Sequence, residues 1–488
     1  MKIRLVIDAA RGRSWHRALG DALAARGHDV GFEARSLKDR RCLQHLLHLD
    51  QLLGLERRLY GIPADHAFSS FSVPIALHAT PADLTIDLST SGQGASAGLL
   101  PLFNGIRGEP GLFGAMTNPQ SPRLTIMSTD LEHPALVGHP AIENRKIASY
   151  GLANLAVAAV ALLLKAVDQL GTSRAGEVPA EPPLPQPATS HSVYGPLAYG
   201  IGNLGTKIVR NLYRRRHKFQ DWHVAWRRTN GDAMQVTGLW PQKQFTTLPD
   251  DGQRYYADPF IFMQSETAHV FCEEFPHATG KGIISHFTLD PQGGASPVRP
   301  VLECPFHLSY PQVFGFGDAI YMLPETGANG TLEIYRARHF PDDWVLERVL
   351  IDNIDAGDAT FTFHAGRCWI FCTTRQPYGS SWDQLAIFHA PHPLGPWTAH
   401  QNNPVILDAS CARPGGAMWV KDGTLYRVAQ DCAADYGGAL QLLRVDRLDD
   451  MSFRQTPVAH ITPPRTARWK GLHTLNAAGG FEIIDYLS

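Results

Sequence analysis

The chain is 488 residues long, 44% hydrophobic and 18% charged, with a formal net charge of −2. That length exceeds one ordinary hydrophobic core and points to two or three domains, while the near-neutral charge excludes a general nucleic-acid binder. Seven cysteines show no paired short spacing of the zinc type and read as buried thiols of a reducing compartment.

In chain order, Ile3 to Ile7 is a short apolar run, and Trp15 to Arg26 has helical spacing with Gly27 as its stop. His28 to Phe32 is a second strand, and later ones are Asp83 to Leu88 and Arg123 to Met127. Strands separated by helices predict a mostly parallel, Rossmann-like α/β domain over residues 1–171. The turn Ala9 to Arg13 carries a single glycine, Gly12, so the dinucleotide fingerprint is missing. The start Met1 to Asp8 lacks the apolar stretch of a signal peptide, which predicts a cytoplasmic protein. Leu152 to Leu164 is apolar apart from Asn154. A helix of that length rises roughly 20 Å against a bilayer core of ~30 Å, so it reads as a buried helix packed on the sheet.

Residues 172–193 are rich in proline, including Pro179, Pro182, Pro183, Pro185 and Pro187, and read as a semi-rigid linker. Residues 194–218 have helical spacing, with Lys207, Arg210, Arg214, Arg215, Arg216 and Lys218 set against apolar Leu204, Ile208, Val209 and Leu212. Such a helix is either a solvated connector, the favoured reading, or a peripheral contact with an anionic membrane.

From residue 219 onward the chain reads as all-β. One phrase recurs five times at a spacing of roughly 50 residues, the signature of propeller blades. A strand opens on a polar residue, a turn follows, and a second apolar strand ends on another polar residue. The first strands begin at Asp258, Tyr310, Asp358, Arg413 and His473. The second strands end at Glu274, Glu325, Thr373, Gln430 or Asp431, and Asp485. The fifth blade is short of strands, and Trp222 to Trp226 is available to complete it.

Inner strands start near the central channel, so these polar residues converge on one pocket. The frame repeats while the polar residue changes, which implies distinct jobs around a site. Separated carboxylates suit chemistry at an anomeric carbon, one moving a proton while another stabilises positive charge. Asp258 is the expected base, with Glu325 and Asp358 as partner acids. Arg413 and His473 are expected on donor phosphate or sugar hydroxyls, because a guanidinium fork binds two oxygens. Glu274, Tyr310, Gln430, Asp431 and Trp469 complete the expected substrate-binding set. Trp382, Trp419 and Tyr436 are further aromatic candidates for stacking on sugar faces. No ligand set dictates a metal, although a channel lined by Asp258, Asp358 and His473 is a candidate for Ca²⁺.

At these residues the sequence resembles a known family. His307 to Phe314 followed by Ile320 to Glu325, then Tyr335-Arg336-Ala337, Phe340-Pro341 with Trp344, Pro393 to Trp397, and Leu425 to Gly437 resemble the propeller of glucosamine inositolphosphorylceramide transferases. That propeller is in turn similar to the five-bladed fold of family 43 glycoside hydrolases. The likeness implies that Asp258-Pro259 supplies the general base. It also implies an acid at the second inner strand and a Glu at the third, where this sequence has Tyr310-Pro311 and Asp358. In plant-type transferases a separate glycosyltransferase domain follows the propeller, whereas this chain ends at Ser488, so the propeller itself is expected to transfer the sugar.

The N-terminal half is similar to formyltransferase-like domains fused to such propellers, with Leu102 to Phe113 in the place of their Gly/Pro-rich loop. No Asn-x-His arrangement stands near Asp87 or Asn104, so the domain is expected to be degenerate. The combined expectation is a cytoplasmic glycosyltransferase of bacterial surface-polysaccharide or glycolipid assembly. It would use a sugar donor, a nucleotide-sugar among the candidates, and a glycan or glycolipid acceptor. A propeller-type hydrolase and a non-catalytic carbohydrate-binding propeller are the alternatives.

Overall fold

The computed structural model describes residues 1–9, 11–70, 82–90, 98–129, 134–170, 195–203, 222–464, 466 and 469–488. The chain divides into two compact units. One is Met1–Lys218 with Gln376–Ser380, and the other is Phe219–Arg375 with Ser381–Ser488. The proline-rich linker and most of the basic segment lie outside the described residues; within that segment, 195–203 is helical.

In the first unit, strands β1 (Lys2–Asp8), β2 (Asp29–Arg35), β3 (Leu84–Asp87), β4 (Gly98–Phe103), β5 (Ile106–Arg107), β6 (Leu124–Ser128) and β7 (Pro134–Gly138) form one sheet. Its order is β2-β1-β3-β4-β6-β7, with β5 paired to β4. The β2, β1, β3 and β4 strands run parallel, but β5, β6 and β7 pair antiparallel. The sheet is therefore mixed rather than mostly parallel. Residues 104–105 carry the reason: Asn104 and Gly105 both take positive φ and turn the chain straight back into β5, where a parallel neighbour would need a long crossover.

Helices α1 (Ser14–Ala25), α2 (Arg40–Tyr60), α3 (Gly108–Thr117) and α4 (Ala148–Leu170) cover the sheet. Asp39 caps α2 by accepting the Arg41 and Cys42 N–H groups, and Gly61 ends it in the left-handed conformation. At 23 residues, α4 is longer than its apolar run and is long and apolar enough to span a membrane. Most of its side chains are nonetheless buried, against α1, α2, α3 and the sheet.

The second unit is a propeller of five blades. Strands β8 (Trp222–Arg228) and β9 (Thr246–Thr247) precede blade 1 in sequence. Blade 1 is β10 (Arg254–Gln264), β11 (Thr267–Pro276), β12 (Ile283–Leu289) and β13 (Arg299–Leu302). Blade 2 is β14 (Ser309–Phe316), β15 (Ala319–Glu325), β16 (Thr331–His339) and β17 (Asp343–Asp352). Blade 3 is β18 (Ala356–His364), β19 (Arg367–Thr374) and β20 (Gln384–Ala390), with the short β21 (Thr398–Ala399) and β22 (Ile406–Leu407). Blade 4 is β23 (Trp419–Lys421), β24 (Thr424–Asp431), β25 (Ala439–Leu448) and β26 (Phe453–Ile461). Blade 5 joins β27 (Leu475–Ala478) and β28 (Phe481–Leu487) to β8 and β9. The pairing of β28 with β8 closes the ring, as the incomplete fifth repeat predicted. Closure joins the two ends of the repeat, so only the outermost strand of each blade is left as an edge.

Apolar residues of neighbouring blades meet at all five boundaries. Val224 and Trp226 pack on Val270 and Cys272, Phe271 and Ile284 on Val313 and Met322, and Leu323 and Ile334 on Phe361 and Ile370. Phe371 and Ile387 then meet Ala412, and Val428 and Leu442 meet Leu475 and Ile484. Strand alternation sends these side chains to the blade faces, so the polar residues at strand ends are left for the axis.

Candidate functional site

Three first strands begin with the same defect. Asp258 and Pro259 stand opposite Cys272, Tyr310 and Pro311 opposite Pro324, and Asp358 and Ala359 opposite Cys372. In each case two residues face one, the definition of a β-bulge. Asp258, Tyr310 and Asp358 take φ of 50°, 49° and 51°, a left-handed conformation that costs a non-glycine residue of order 1–3 kcal/mol. Strain repeated in three blades needs support, and carboxylates of the preceding blade supply part of it. The Asp358 N–H donates to Glu325 Oε2 at 2.8 Å, and the Asp258 N–H donates to Asp485 Oδ2 at 2.9 Å.

Around these bulges lies a buried charge cluster. Arg413 grips Asp358 with both edges of its fork, Nε to Oδ2 at 2.5 Å and Nη2 to Oδ1 at 3.1 Å. The same guanidinium lies 3.6 Å from Glu325, donates to Ser381, and has its Cζ 5.2 Å from the Tyr436 ring centroid. Gln430 Nε2 donates to Asp358 Oδ2 and to the Pro414 carbonyl. His473 bridges two acids, with Nε2 3.0 Å from Asp258 Oδ1 and Nδ1 2.8 Å from Asp485 Oδ2. Its ring also packs on Trp222 and Tyr436, and Tyr436 on Trp382. Tyr310 is fully buried; its hydroxyl accepts the Gly416 N–H at 2.6 Å and pairs with Thr360.

The charges of the cluster depend on one another. Burial opposes the imidazolium of His473, but Asp485 and Asp258 outweigh it and hold the ring protonated well above its ordinary range. Burial alone would lift Asp485, yet His473 keeps that carboxyl below the usual value. Burial lifts Asp358 against the pull of Arg413, and burial with Asp258 pushes Glu273 well above the carboxylate range. Arg413 stays charged despite burial because Asp358 faces it.

The structure brings Asp258, Tyr310, Glu325, Asp358, Arg413, Gln430 and His473 together. It leaves three expected members out. Glu274 points to the opposite face of β11, where it pairs with Arg254 and accepts the Ser285 hydroxyl. Asp431 faces away from Gln430, toward His460 at 2.9 Å. Trp469 stacks on Tyr486, ring centroids 3.9 Å apart and 10° from parallel, beside Trp240 and Phe245 in the apolar core between blades 4 and 5. The residue that occupies Glu274's expected place is Glu273, which faces Ala257 as Glu325 faces Ser309. The adjacent pair Glu273-Glu274 was the signal for it. Asp485 acts from a second-strand end, and Trp222 from the strand that closes the ring. Trp419 stacks on Tyr426 instead.

A further buried cation positions this set. Arg427 is 1% exposed and donates to the Cys411 and Ala412 carbonyls and to Gln455, tying down the segment that carries Arg413.

Asp258, His473 and Asp485 are close enough to suggest a metal centre. The two carboxylates, however, meet opposite nitrogens of the ring, so one ion cannot take both and a ring nitrogen without breaking a pair. Asp358, the third expected Ca²⁺ ligand, is committed to Arg413 and Gln430. A cation here would have to displace the Asp258–His473 or His473–Asp485 contact.

Residues 246–478 match the family model described as glucosamine inositolphosphorylceramide transferase 1, N-terminal. Proteins of that name from Oryza sativa subsp. japonica and Arabidopsis thaliana are each 33% identical, over 237 and 240 residues. The aligned region is 47% and 48% of this chain but 32% and 31% of those relatives. The propeller is similar to one part of these transferases. The chain spans about a third of the length of the relatives it matches. Among solved structures, a family 117 glycoside hydrolase of Zobellia galactanivorans covers 55% of this chain and 90% of its own at 12% identity and a TM-score of 0.37. A thermostable family-43 glycoside hydrolase covers 43% of this chain and 76% of its own, at 14% identity and a TM-score of 0.32.

Proposed function

We propose that the propeller is a carbohydrate-active enzyme that transfers a glycosyl group at the Asp258–Glu325–Asp358 cluster. The observation that carries this reading is the placement of acids, arginine and imidazolium at one set of strained bulges, within the region similar to the named transferases. Those relatives carry glucosamine and inositolphosphorylceramide in their names, so a sugar donor and a glycolipid acceptor are the substrate classes we extend to this chain. The relatives are plant proteins, and bacterial surface-polysaccharide assembly draws no support from them.

Asp258 takes the proton of the incoming hydroxyl as that oxygen bonds to the anomeric carbon, a role that removes about 10²–10⁴-fold of the rate when lost. His473 faces Asp258 with its cationic edge. Arg413 is not available for a donor phosphate, since its fork is already closed on Asp358. Tyr436, Trp382 and Trp222 supply aromatic surface beside the acids, suited to the apolar face of a pyranose.

The test is a thermal-shift screen of the purified chain against nucleotide-sugars, phosphosugars and free sugars, followed by turnover with the stabilising donor and a glycolipid acceptor. A ligand that binds the native state raises its apparent stability. Asp258→Asn, which tolerates the left-handed backbone, is expected to keep binding and lose turnover. Full turnover by that variant would refute the base assignment. Release of free sugar to water without acceptor would make the enzyme a hydrolase. Tight sugar binding with no turnover by the unmodified chain would make it a binding module.

A further inference from the structure

Among the acids around the axis of the propeller, Glu325, Asp358 and Asp485 each hold groups of neighbouring segments by hydrogen bonds. Glu325 accepts the Asp358 N–H, Asp485 accepts the Asp258 and Thr474 N–H groups, and Asp358 receives Arg413 and Gln430. Glu273 is different. It occupies the strand position in blade 1 that Glu325 occupies in blade 2, yet the Tyr310 backbone makes no bond to it. The residue is 5% exposed, and Oε1 accepts no hydrogen bond; the nearest ion-pair partner is His307 Nε2 at 3.5 Å. A Cβ at Gly282 would meet the Leu308 carbonyl at 2.5 Å and that oxygen at 2.7 Å, so only glycine fits beside them. The charged groups acting most strongly on Glu273 are Asp258, His473, Glu325 and Asp485, and His307 faces its Oε1.

A buried carboxyl whose Oε1 receives no hydrogen bond, on the strand paired with that of the expected base, has the attributes of an acid–base partner. Resting on the glycosyl-transfer reading, we propose that Glu273 is the proton donor of the site and works with Asp258. As the bond from the anomeric carbon to the leaving oxygen breaks, Glu273 gives its proton to that oxygen. Asp258 takes the proton of the incoming hydroxyl as the new carbon–oxygen bond forms. The step leaves Glu273 ionised and Asp258 protonated, and transfer of one proton between them through solvent resets the pair. A donor whose leaving group is an alcohol needs that proton far more than one whose leaving group is a phosphate. The proposal therefore favours glycosides over nucleotide-sugars as donors.

Two measurements test it. The first needs no substrate: infrared difference spectra at pH 7 compare the protein with Glu273→Gln and Glu325→Gln. One carbonyl stretch of a protonated carboxylic acid in the parent is expected to be lost in Glu273→Gln and kept in Glu325→Gln and in Glu273→Asp, beside the bands of other buried acids such as Asp358. A parent spectrum without that band, or one unchanged by Glu273→Gln, overturns the proposal, whether or not a substrate is found. The second uses aryl and alkyl β-glycosides of one sugar as donors, together with the acceptor that supports turnover. Glu273→Gln is expected to lose about 10²–10⁴-fold on the alkyl glycoside and far less on the 4-nitrophenyl glycoside. Asp258→Asn is expected to lose comparably on both. Equal loss on the two donors by Glu273→Gln overturns the proposal, while absence of turnover by the parent on all of them refutes the transfer reading and leaves the infrared result standing.

Discussion

Replacing Arg413 by methionine removes the cation from a buried pair while keeping most of the side-chain volume. Arg413 makes two contacts with Asp358, at 2.5 and 3.1 Å, and lies within 3.6 Å of Glu325. Breaking a buried pair from one side costs about 3–5 kcal/mol, because the remaining charge is left without compensation. For a unit of this size that is a fall in Tm of about 6–20 °C. The cost should depend on pH with a definite sign. Burial already lifts Asp358 above its ordinary value, and removal of Arg413 removes the main opposing influence. An acid whose folded value is raised binds a proton in the folded state that the unfolded state releases, so its penalty is absent at low pH and grows as pH rises. The stability deficit of Arg413→Met is therefore expected to be smaller at pH 5 than at pH 8, and Asp358→Asn in the same chain should recover part of it. Thermal denaturation of the parent, the two single variants and the double variant at both pH values measures this. A deficit below about 2 °C, or one that grows on acidification, would refute the assignment of a stabilising buried pair.

Three further outcomes follow from single contacts. Tyr310→Phe leaves the Gly416 N–H without its acceptor, which should cost about 1–3 kcal/mol in chemical denaturation; an unchanged midpoint would mean water replaces the hydroxyl. Trp469→Ala should destabilise by about 3–5 kcal/mol through lost packing on Tyr486 while leaving sugar affinity intact, and the reverse pattern in paired melting and binding assays would return Trp469 to the site. Ala365 and Gly366 form a hairpin turn with φ of 51° and 76°, where a non-glycine residue is strained. Ala365→Gly is expected to raise stability by about 0.5–1 kcal/mol, and a lower Tm would contradict that account.

The candidate site was partly legible before any coordinates. Asp258, Tyr310, Asp358, Arg413 and His473 stand at matching points of a repeat, and polar residues at the start of apolar strands have few places to go except the axis. Glu273 was only half legible, as one of an adjacent pair of acids. Counting along β11 from the apolar residues cannot tell whether Glu273 or Glu274 faces inward, because the strand is buried on both faces and its apolar run shows no alternation. Trp469 carried no mark distinguishing a sugar platform from core, since an aromatic residue suits both and only packing sets it on Tyr486. Arg413 read as a phosphate ligand because an isolated guanidinium is one; the structure turns it onto Asp358.

The sequence by itself determined the propeller. Strand periodicity, turn residues and a recurring frame act over a few residues at a time, and an incomplete fifth repeat demanded a strand from before the first. Tertiary structure alone decided which acids are scaffold and which is left without a task. That distinction depends on hydrogen bonds between blades, such as Glu325 to the Asp358 N–H, whose partners are brought together only when the ring closes. It also decided the pairing of sheet strands in the first unit, where a two-residue turn at Asn104-Gly105 overrides the parallel pattern that helix–strand alternation suggests.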